Sequence, residues 1–448
     1  MMKNHNEIAT EILSQYRIIT FQDTKEMFYW NNETGLYEPA EIIVEQLVQG
    51  ELKEDCKTHI VTEVKDSIKR QTYCSRERVG AELTKIPIED GIYDFELETV
   101  EPYTPETIFL TKHPIKSKIL NEEKELIDIP DLLGENPIDT FLTQVSENQS
   151  YNLLLKEIAG YCFYREMPFQ NFFILVGKGC NGKSVYLNIL KKLIGEKNLS
   201  TLTLQTISEG GFELGYLYQK NCNMTGDLPK KAFQDVGHIK ELTGGDTITA
   251  KQKFKDPFCF KNHAKLIAAC NEVPESPDTT DGFFRRAVII NFPNSFEGKA
   301  NPNLLQEVAT DQNLWFFFKS CLNAFKSARD NNGWIVNEST EEKRDKYVVY
   351  SNSAIAFCGI SLEYEPDSNL SSEVIYEQYA AYCKKKQVAA KNEVHFFKSL
   401  YNFFGNKVFK RRLKENEGLT NRRIYVIQGV AWKEAYEAEP YAKLRLGL

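Results

Sequence analysis

One stretch of the chain, NFFILVGKGCNGKS at 171–184, limits its fold more than any other. Residues 172–176 are an apolar run of strand length, and Gly177, four residues of any kind, then Gly182-Lys183-Ser184 complete the spacing of a phosphate-binding loop. Residues 185–194 carry apolar side chains at helical spacing and stop at Gly195. A glycine-rich turn between a buried strand and a helix N-terminus brings backbone N–H groups and the positive end of the helix to β- and γ-phosphates. Gly177, Lys178, Gly179, Cys180, Asn181 and Gly182 form that cradle; Lys183 reaches the phosphates as a point charge and Ser184 offers its hydroxyl to Mg²⁺. The expectation is an α/β chain that takes ATP and Mg²⁺.

At 448 residues the chain has room for two to four domains. A net charge of -8 argues against a basic coat and leaves room for a local basic patch. The 10 cysteines include no C-x-x-C pair, which predicts neither zinc nor disulfides. No apolar signal segment and no 18-residue apolar run occur, so the expected location is cytoplasmic, with no membrane partner.

Residues 1–134 read as an α+β module: strands at 18–21 and 27–30, a turn, a strand at 36–37, helices within 41–85, and short strands at 91–95 and 107–110. No catalytic cluster appears there. Residues 135–168 read as a helical connector that Pro168 closes. Beyond the glycine-rich loop, 201–204 read as a strand, and a second, unusually polar strand leads to Gly226-Asp227. A phosphate-loop ATPase needs an acid at such a strand end for the Mg²⁺ shell, and Asp227 is the one carboxylate offered there.

The sequence LTGGD at 242–246 stops a helix, and 247–263 reads as a hairpin with a lysine-rich tip. Lys251, Lys253 and Lys255 alternate, so in an extended tip they share one face, with Phe254 on the other; that pattern suits a phosphate backbone plus a stacked or packed ring. Next, AKLIAACN ends a buried strand in Asn271, whose amide can bond a γ-phosphate or the water in line with it. Arg285 and Arg286 then precede an apolar strand at 287–292, as surface charge or as an arginine finger. After a helical linker at 301–345, residues 346–448 read as three helices and a terminal hairpin, the winged-helix order. Within them, 384–423 hold 12 bases and 3 acids, Lys410, Arg411, Arg412, Arg422 and Arg423 included, which is the basic patch that bulk charge concealed.

Taken in order, GKGCNGKS, the strand ending in Asp227, LTGGD with its hairpin, AKLIAACN and DGFFRRAVIINF resemble the superfamily 3 helicase core of phage and plasmid replication proteins of the D5/P4 primase-helicase type. The resemblance is strong over about 140–300 and weaker on either side. It implies an AAA+-like ATPase core at 169–300, assembled as a homo-oligomer, usually a hexameric ring, that moves 3′ to 5′ on single-stranded DNA and unwinds duplex DNA in virus, plasmid or integrated-element replication. It carries Gly177, Gly182, Lys183 and Ser184 over as Walker A, Asp227 as Walker B, the 240–255 region as the DNA-contacting segment, Asn271 as sensor 1, and Arg286 or Arg285 as the finger. Two departures matter: Gly226 stands where a second acid is common, and the N-terminal module holds no paired Asp-x-Asp metal site for a primase. A separate primase or polymerase is the implied partner. Two other readings share these residues: a phosphate-loop kinase, for which the 251–255 hairpin has no use, and an ATP-bound DNA-binding initiator scaffold that does not turn over.

Changing Lys251, Lys253 and Lys255 together to Ala is expected to abolish DNA-stimulated ATP hydrolysis and unwinding while basal hydrolysis persists; steady-state ATPase assays with and without single strands check this.

Overall fold

The structure, a computed structural model, describes residues 4–120, 125–250, 257–417 and 420–434, with their side chains except over 413–424. Phe172–Val176 is an inner strand of a five-stranded sheet in the order Leu199–Ser200, Cys222–Thr225, Lys265–Cys270, Phe172–Val176, Ala287–Asn291, with every pair parallel. The three apolar strands are buried along their whole length, which is why they read as continuous rather than alternating hydrophobic runs. Alternation reappears as two separate cores. Phe173 and Leu175 pack with helices Pro137–Val145, Gln149–Tyr161, Lys183–Ile194 and Asp311–Asp330, while Phe172, Ile174 and Val176 pack with helices Leu204–Glu209 and Gly237–Gly244 and with Phe283 and Tyr347.

The polar strand Cys222–Thr225 is also fully buried, and its side chains account for its composition. Its outer neighbour, Leu199–Ser200, is only two residues long. Past that short ladder, Asn223 closes both backbone groups of Leu202 at 2.8 Å, Thr225 donates to the Leu202 carbonyl at 2.7 Å, and Asn221 donates to the Cys162 carbonyl at 3.1 Å. Side-chain amides thus replace missing strand partners. The strand expected at 201–204 is instead the end of this edge followed by a helix that Thr203 caps through the Thr206 N–H at 3.0 Å.

Lys265, at the start of its strand, is wholly buried. Its ammonium donates to the carbonyls of Tyr164, Glu166 (2.9 Å) and His263 (2.8 Å) and lies 4.4 Å from the Tyr161 ring centroid. The end of the connector is thereby tied to the sheet.

The N-terminal module holds a mixed four-stranded sheet, Leu36–Pro39, Met27–Asn31, Ile18–Phe21, Tyr73–Cys74, covered by helices His5–Gln15, Glu41–Leu52 and Thr58–Thr72. A three-stranded sheet, Lys85–Ile88, Gly91–Asp94, Thr99–Glu101, follows it. Residues 107–110, expected as a strand, contribute one bridge, Val79 to Ile108. Tyr93 meets Trp315 and Phe318 at ring distances of 5.5 and 5.3 Å, so this small sheet shares the core on one face of the five-stranded sheet.

At the C-terminal end the order is helix Ser353–Ser361, strand Leu362–Ser371, helices Ser372–Lys385 and Glu393–Phe404, then strands Phe409–Glu417 and Thr420–Trp432, with the long last strand in the middle of the sheet. Strand Leu362–Ser371 was not expected from sequence. It is a largely exposed edge containing Pro366, and its register shifts between Tyr364 and Asn369, so the proline falls where the ladder is broken.

Glu157, buried in helix Gln149–Tyr161, accepts the Ile335 N–H at 3.1 and 3.2 Å, and burial pushes its carboxyl up to about 7. A carboxyl raised in the folded state keeps its proton while the unfolded chain loses it, so stability falls as pH rises from the ordinary carboxylate range to about 7. Glu157→Gln is expected to flatten that slope in denaturant unfolding measured at pH 5 and pH 8.

Candidate active site

The glycine-rich loop leaves the carboxyl end of strand Phe172–Val176 and is stitched to both neighbouring strands. Gly177 donates to the Cys270 carbonyl at 3.3 Å, Phe292 donates to the Val176 carbonyl at 2.8 Å, and Phe296 donates to the Cys180 carbonyl at 2.7 Å. Gly177 is required by this approach: a Cβ there would lie 2.6 Å from the Phe292 carbonyl oxygen. Gly182 caps the following helix at φ +90° in the left-handed region, and its missing Cβ makes room for Val145. The helix then starts at Lys183, with Ser184 exposed at its first turn.

Lys183 is nearly buried. Its ammonium donates to the Gly177 carbonyl, to Asn181 Oδ1 at 3.2 Å and to the Lys178 carbonyl at 3.5 Å. Asn181 in turn donates to the Phe292 carbonyl at 3.3 Å. Burial lowers the Lys183 pKa, and Cys270 and Asp227 oppose that shift; burial likewise pushes the Cys270 thiol up to about 12, against the pull of Lys183. The same electrostatic neighbourhood therefore holds Lys183, Cys270 and Asp227.

Asp227 stands two residues past the end of its strand, exposed, where the Leu228 N–H bonds the Ala269 carbonyl at 2.8 Å. Asn271 follows the last residue of the adjacent strand, also exposed. Both belong to the carboxyl edge from which the loop emerges. Glu272 is paired with Lys230. Among the described residues no group of three or more His, Cys, Asp and Glu side chains is arranged to hold a metal.

A cleft of about 550 Å³ opens from Gly177 and Lys178 past Asn271 and Asn291. Its far wall comes from the C-terminal region, where Gln387 accepts from the buried Asn291 amide at 3.2 Å and Lys391 and Lys398 line the surface. Sequence reading placed Asn181 in the cradle without its bonds to Lys183 and Phe292, and missed Asn291 and Gln387. A buried asparagine inside a phosphate-loop spacing that accepts any residue, and one ending an otherwise apolar strand, were the available signals.

Arg285 and Arg286 lie elsewhere. The Phe172 N–H bonds the Arg286 carbonyl at 2.9 Å, which puts both arginines at the amino edge of the sheet, across it from the loop. Arg285 is exposed and donates to Gln170 at 2.8 Å. Arg286 is half-buried and donates to the Gly282 carbonyl at 2.6 Å; burial and then Arg285 lower its pKa, with Asp246 opposing.

Of the expected DNA contacts, Lys251, Lys253, Phe254 and Lys255 lie outside the described residues; the hairpin strands that carry them, Thr247–Ala250 and Phe258–Lys261, pair antiparallel as expected. Lys410, Arg411 and Arg412 are exposed on strand Phe409–Glu417, with Lys410 4.4 Å over the Tyr425 ring and Arg411 donating to Gln428 at 2.6 Å. Arg422 and Arg423 fall on the partner strand, and their side chains lie outside the described ones.

Comparison with known proteins gives a family model, two viral relatives and a solved structure. Residues 175–286 match the model of a family of unknown function, DUF5906. Over 238 residues, 51% of this chain and 24% of the relative, the sequence is 27% identical to a "putative helicase" of Acanthamoeba polyphaga mimivirus. Over 131 residues, 27% of this chain and 14% of the relative, it is 29% identical to a "putative helicase" of Invertebrate iridescent virus 3. The matches thus span about a quarter or less of these curated relatives. Among solved structures, the apo C-terminal region of NrS-1 aligns with a TM-score of 0.47 at 13% identity, covering 96% of this chain and 100% of that one. The chain is accordingly similar in sequence to viral proteins named as helicases. No helix among the described residues is long and apolar enough to cross a membrane.

Because the Phe292 carbonyl occupies the space beside Gly177, Gly177→Ala is expected to displace the loop and weaken binding of a fluorescent ATP analogue by at least about tenfold, with far-UV circular dichroism unchanged.

Proposed function

We propose that the chain is an ATP- and Mg²⁺-dependent replicative DNA helicase with an AAA+-like core, which moves 3′ to 5′ on single-stranded DNA in the replication of a virus, plasmid or integrated element. The observation that carries this reading is the convergence of Lys183, Asp227 and Asn271 with the glycine-rich loop on the carboxyl edge of one parallel sheet, the edge at which α/β folds bind ligands. The sequence likeness to viral proteins named as helicases supports it.

The residues fit the nucleotide and its ion. Missing Cβ atoms at Gly177 and Gly182 leave the loop's backbone close to its neighbours and the helix amides open toward the loop. Mg²⁺ keeps several waters and takes one or two protein ligands beside substrate phosphates, so Ser184 and Asp227 suffice without a larger acid cluster. When bound, the ion supplies charge neutralisation between the phosphates. Lys183 exchanges its loop carbonyls for phosphate oxygens, and Asn181 keeps its own hydrogen bond to Phe292. Asn271 orients the attacking water or the terminal phosphate from the next strand end. Gly226 leaves Asp227 as the acid at its own strand end, while Glu272 at the next is paired with Lys230.

Arginine action on a phosphate from the amino edge of the sheet needs a second copy of the chain. We therefore place Arg286, or the more exposed Arg285, against the nucleotide of a neighbour in a homo-oligomer, a hexameric ring in the full reading. The C-terminal helix–strand–helix–helix–hairpin order supports a winged-helix-like unit that takes duplex DNA through Lys410, Arg411, Arg412, Arg422 and Arg423. The lysines at 251, 253 and 255 with Phe254 serve the single strand, and a separate primase or polymerase completes the machinery.

DNA-stimulated ATP hydrolysis and strand separation test the reading; a chain that binds ATP but whose turnover ignores single strands is a scaffold or a kinase instead. Lys183→Ala is expected to lower hydrolysis by at least about 100-fold, and Asp227→Asn similarly while ATP binding survives. Near wild-type turnover in Asp227→Asn would move the metal role to another residue.

A further inference from the structure

The other edge of the sheet carries a second polar cleft, of about 660 Å³, where the N-terminal module, the end of the connector and the base of the hairpin meet. Its principal walls are Arg76, Gly80, Arg165, Tyr218, His263 and Lys261. His263 lies two residues before strand Lys265–Cys270, whose opposite end meets the glycine-rich loop, so the two clefts are a strand length apart.

Several polar atoms in this cleft are buried without a hydrogen bond of good geometry: Arg76 Nε and Nη2, Tyr218 Oη and His263 Nε2. Most are donors. Asp23 lies 2.8 Å from Arg76 Nη2, close enough for an ion pair yet out of line for a hydrogen bond. Arg165 stands beside them with only a neutral partner. Among the described residues its side-chain partner is Gln219, a neutral amide, at 3.3 Å, and no carboxylate pairs with it. Burial pushes its guanidinium down to about 10. It is held in place by contact: a Cβ on Gly80, which sits at φ +59°, would lie 2.6 Å from Arg165 Cζ. Arg76 is fixed in the same manner, 4.6 and 5.0 Å from the ring centroids of Tyr218 and Phe258. Burial, with Arg165 and Lys265 adding, keeps His263 neutral, so an acceptor facing Nε2 selects the tautomer protonated there.

Buried donors in a native protein call for an acceptor. Around the cleft Arg76, Arg165 and Lys261 balance Asp23, Glu77 and Glu166, so selection rests on directed N–H and O–H groups more than on net field. A tetrahedral oxyanion offers the several acceptors that two guanidinium forks can share. We propose that this cleft is a phosphate-binding site separate from the glycine-rich loop, built by Arg76, Arg165, Tyr218 and His263. Its phosphate comes from a DNA strand passing the base of the hairpin or from free phosphate.

The test uses the full chain and two probes, fluorescein-labelled (dT)20 and inorganic phosphate, on wild type, Arg165→Gln, Tyr218→Phe and Arg165→Lys. The last keeps the charge and removes the fork; Tyr218→Phe keeps the ring and removes only the hydroxyl. All retain Lys183 and the loop, so differences between them report on the second cleft. If the phosphate belongs to a strand, (dT)20 affinity falls at least fivefold in Arg165→Gln and measurably in the other two. If it is free phosphate, (dT)20 affinity holds while the rise in melting temperature caused by phosphate shrinks in all three variants. Either result supports the site. Unchanged (dT)20 affinity together with unchanged phosphate stabilisation, in Arg165→Lys and Tyr218→Phe variants that melt as wild type does, overturns it and assigns the donors to water. Wild type that ignores (dT)20 but answers to phosphate would count against the helicase reading and not against this site.

Discussion

The candidate site depends on one close approach, the passage of the 292–296 segment over Gly177. Parallel strands end with unpaired carbonyls and amides at their carboxyl edge, and those groups must find partners. Here Val176, Cys180 and Cys270 offer carbonyls to Phe292, Phe296 and Gly177, and Asn181 adds a side-chain bond to the Phe292 carbonyl. A side chain at Gly177 would part the loop from the segment that fixes it, and the cleft toward Asn271 and Asn291 would lose its wall.

A second feature is shared by four buried or half-buried cations. Lys265 bonds three carbonyls, Lys183 bonds two carbonyls and an amide oxygen, Arg286 a carbonyl, and Arg165 an amide oxygen. Carboxylate partners would neutralise these charges and fix them in pairs, whereas neutral oxygens orient a cation and leave its field in place. For Lys265 the field has no outlet and the result is structural. Arg165 opens into a cleft and Lys183 stands behind the loop residues Gly177 and Lys178 that line another, so the two proposed anion sites need no basic surface on a chain of net charge -8.

How much of this was legible in the sequence follows from where each signal is stored. Phe172–Val176, the glycine spacing and the helix behind it are local, and the structure places them at or within two residues of expectation. The helix over 237–244 and the paired hairpin strands were equally local. Residues 201–204 were misread because β-branched Thr201 and Thr203 suit a strand, yet Thr203 spends its hydroxyl on a helix cap. Strand Leu362–Ser371 was missed because an exposed edge needs no apolar pattern. The contacts of Asn223, Asn291 and Arg165 run to residues 21, 96 and 54 positions away, and no local period encodes such partners.

Topology also constrains the arginines more tightly than their spacing does. In a parallel sheet every strand start lies on one edge and every strand end on the other, so a residue preceding Ala287–Asn291 cannot share an edge with the loop following Phe172–Val176. Five residues of strand span roughly 16 Å at about 3.3 Å each, farther than an arginine side chain extends. The bond from the Phe172 N–H to the Arg286 carbonyl fixes that separation at its full value. Arg285 and Arg286 can therefore be read with Lys183 in one reaction only if two chains meet, the amino edge of one facing the carboxyl edge of the next. A head-to-tail contact of that kind repeats, and it closes into a ring when its rotation permits. The assembly is then a consequence of parallel strand geometry, given a phosphate role for either arginine, and does not need to be assumed separately.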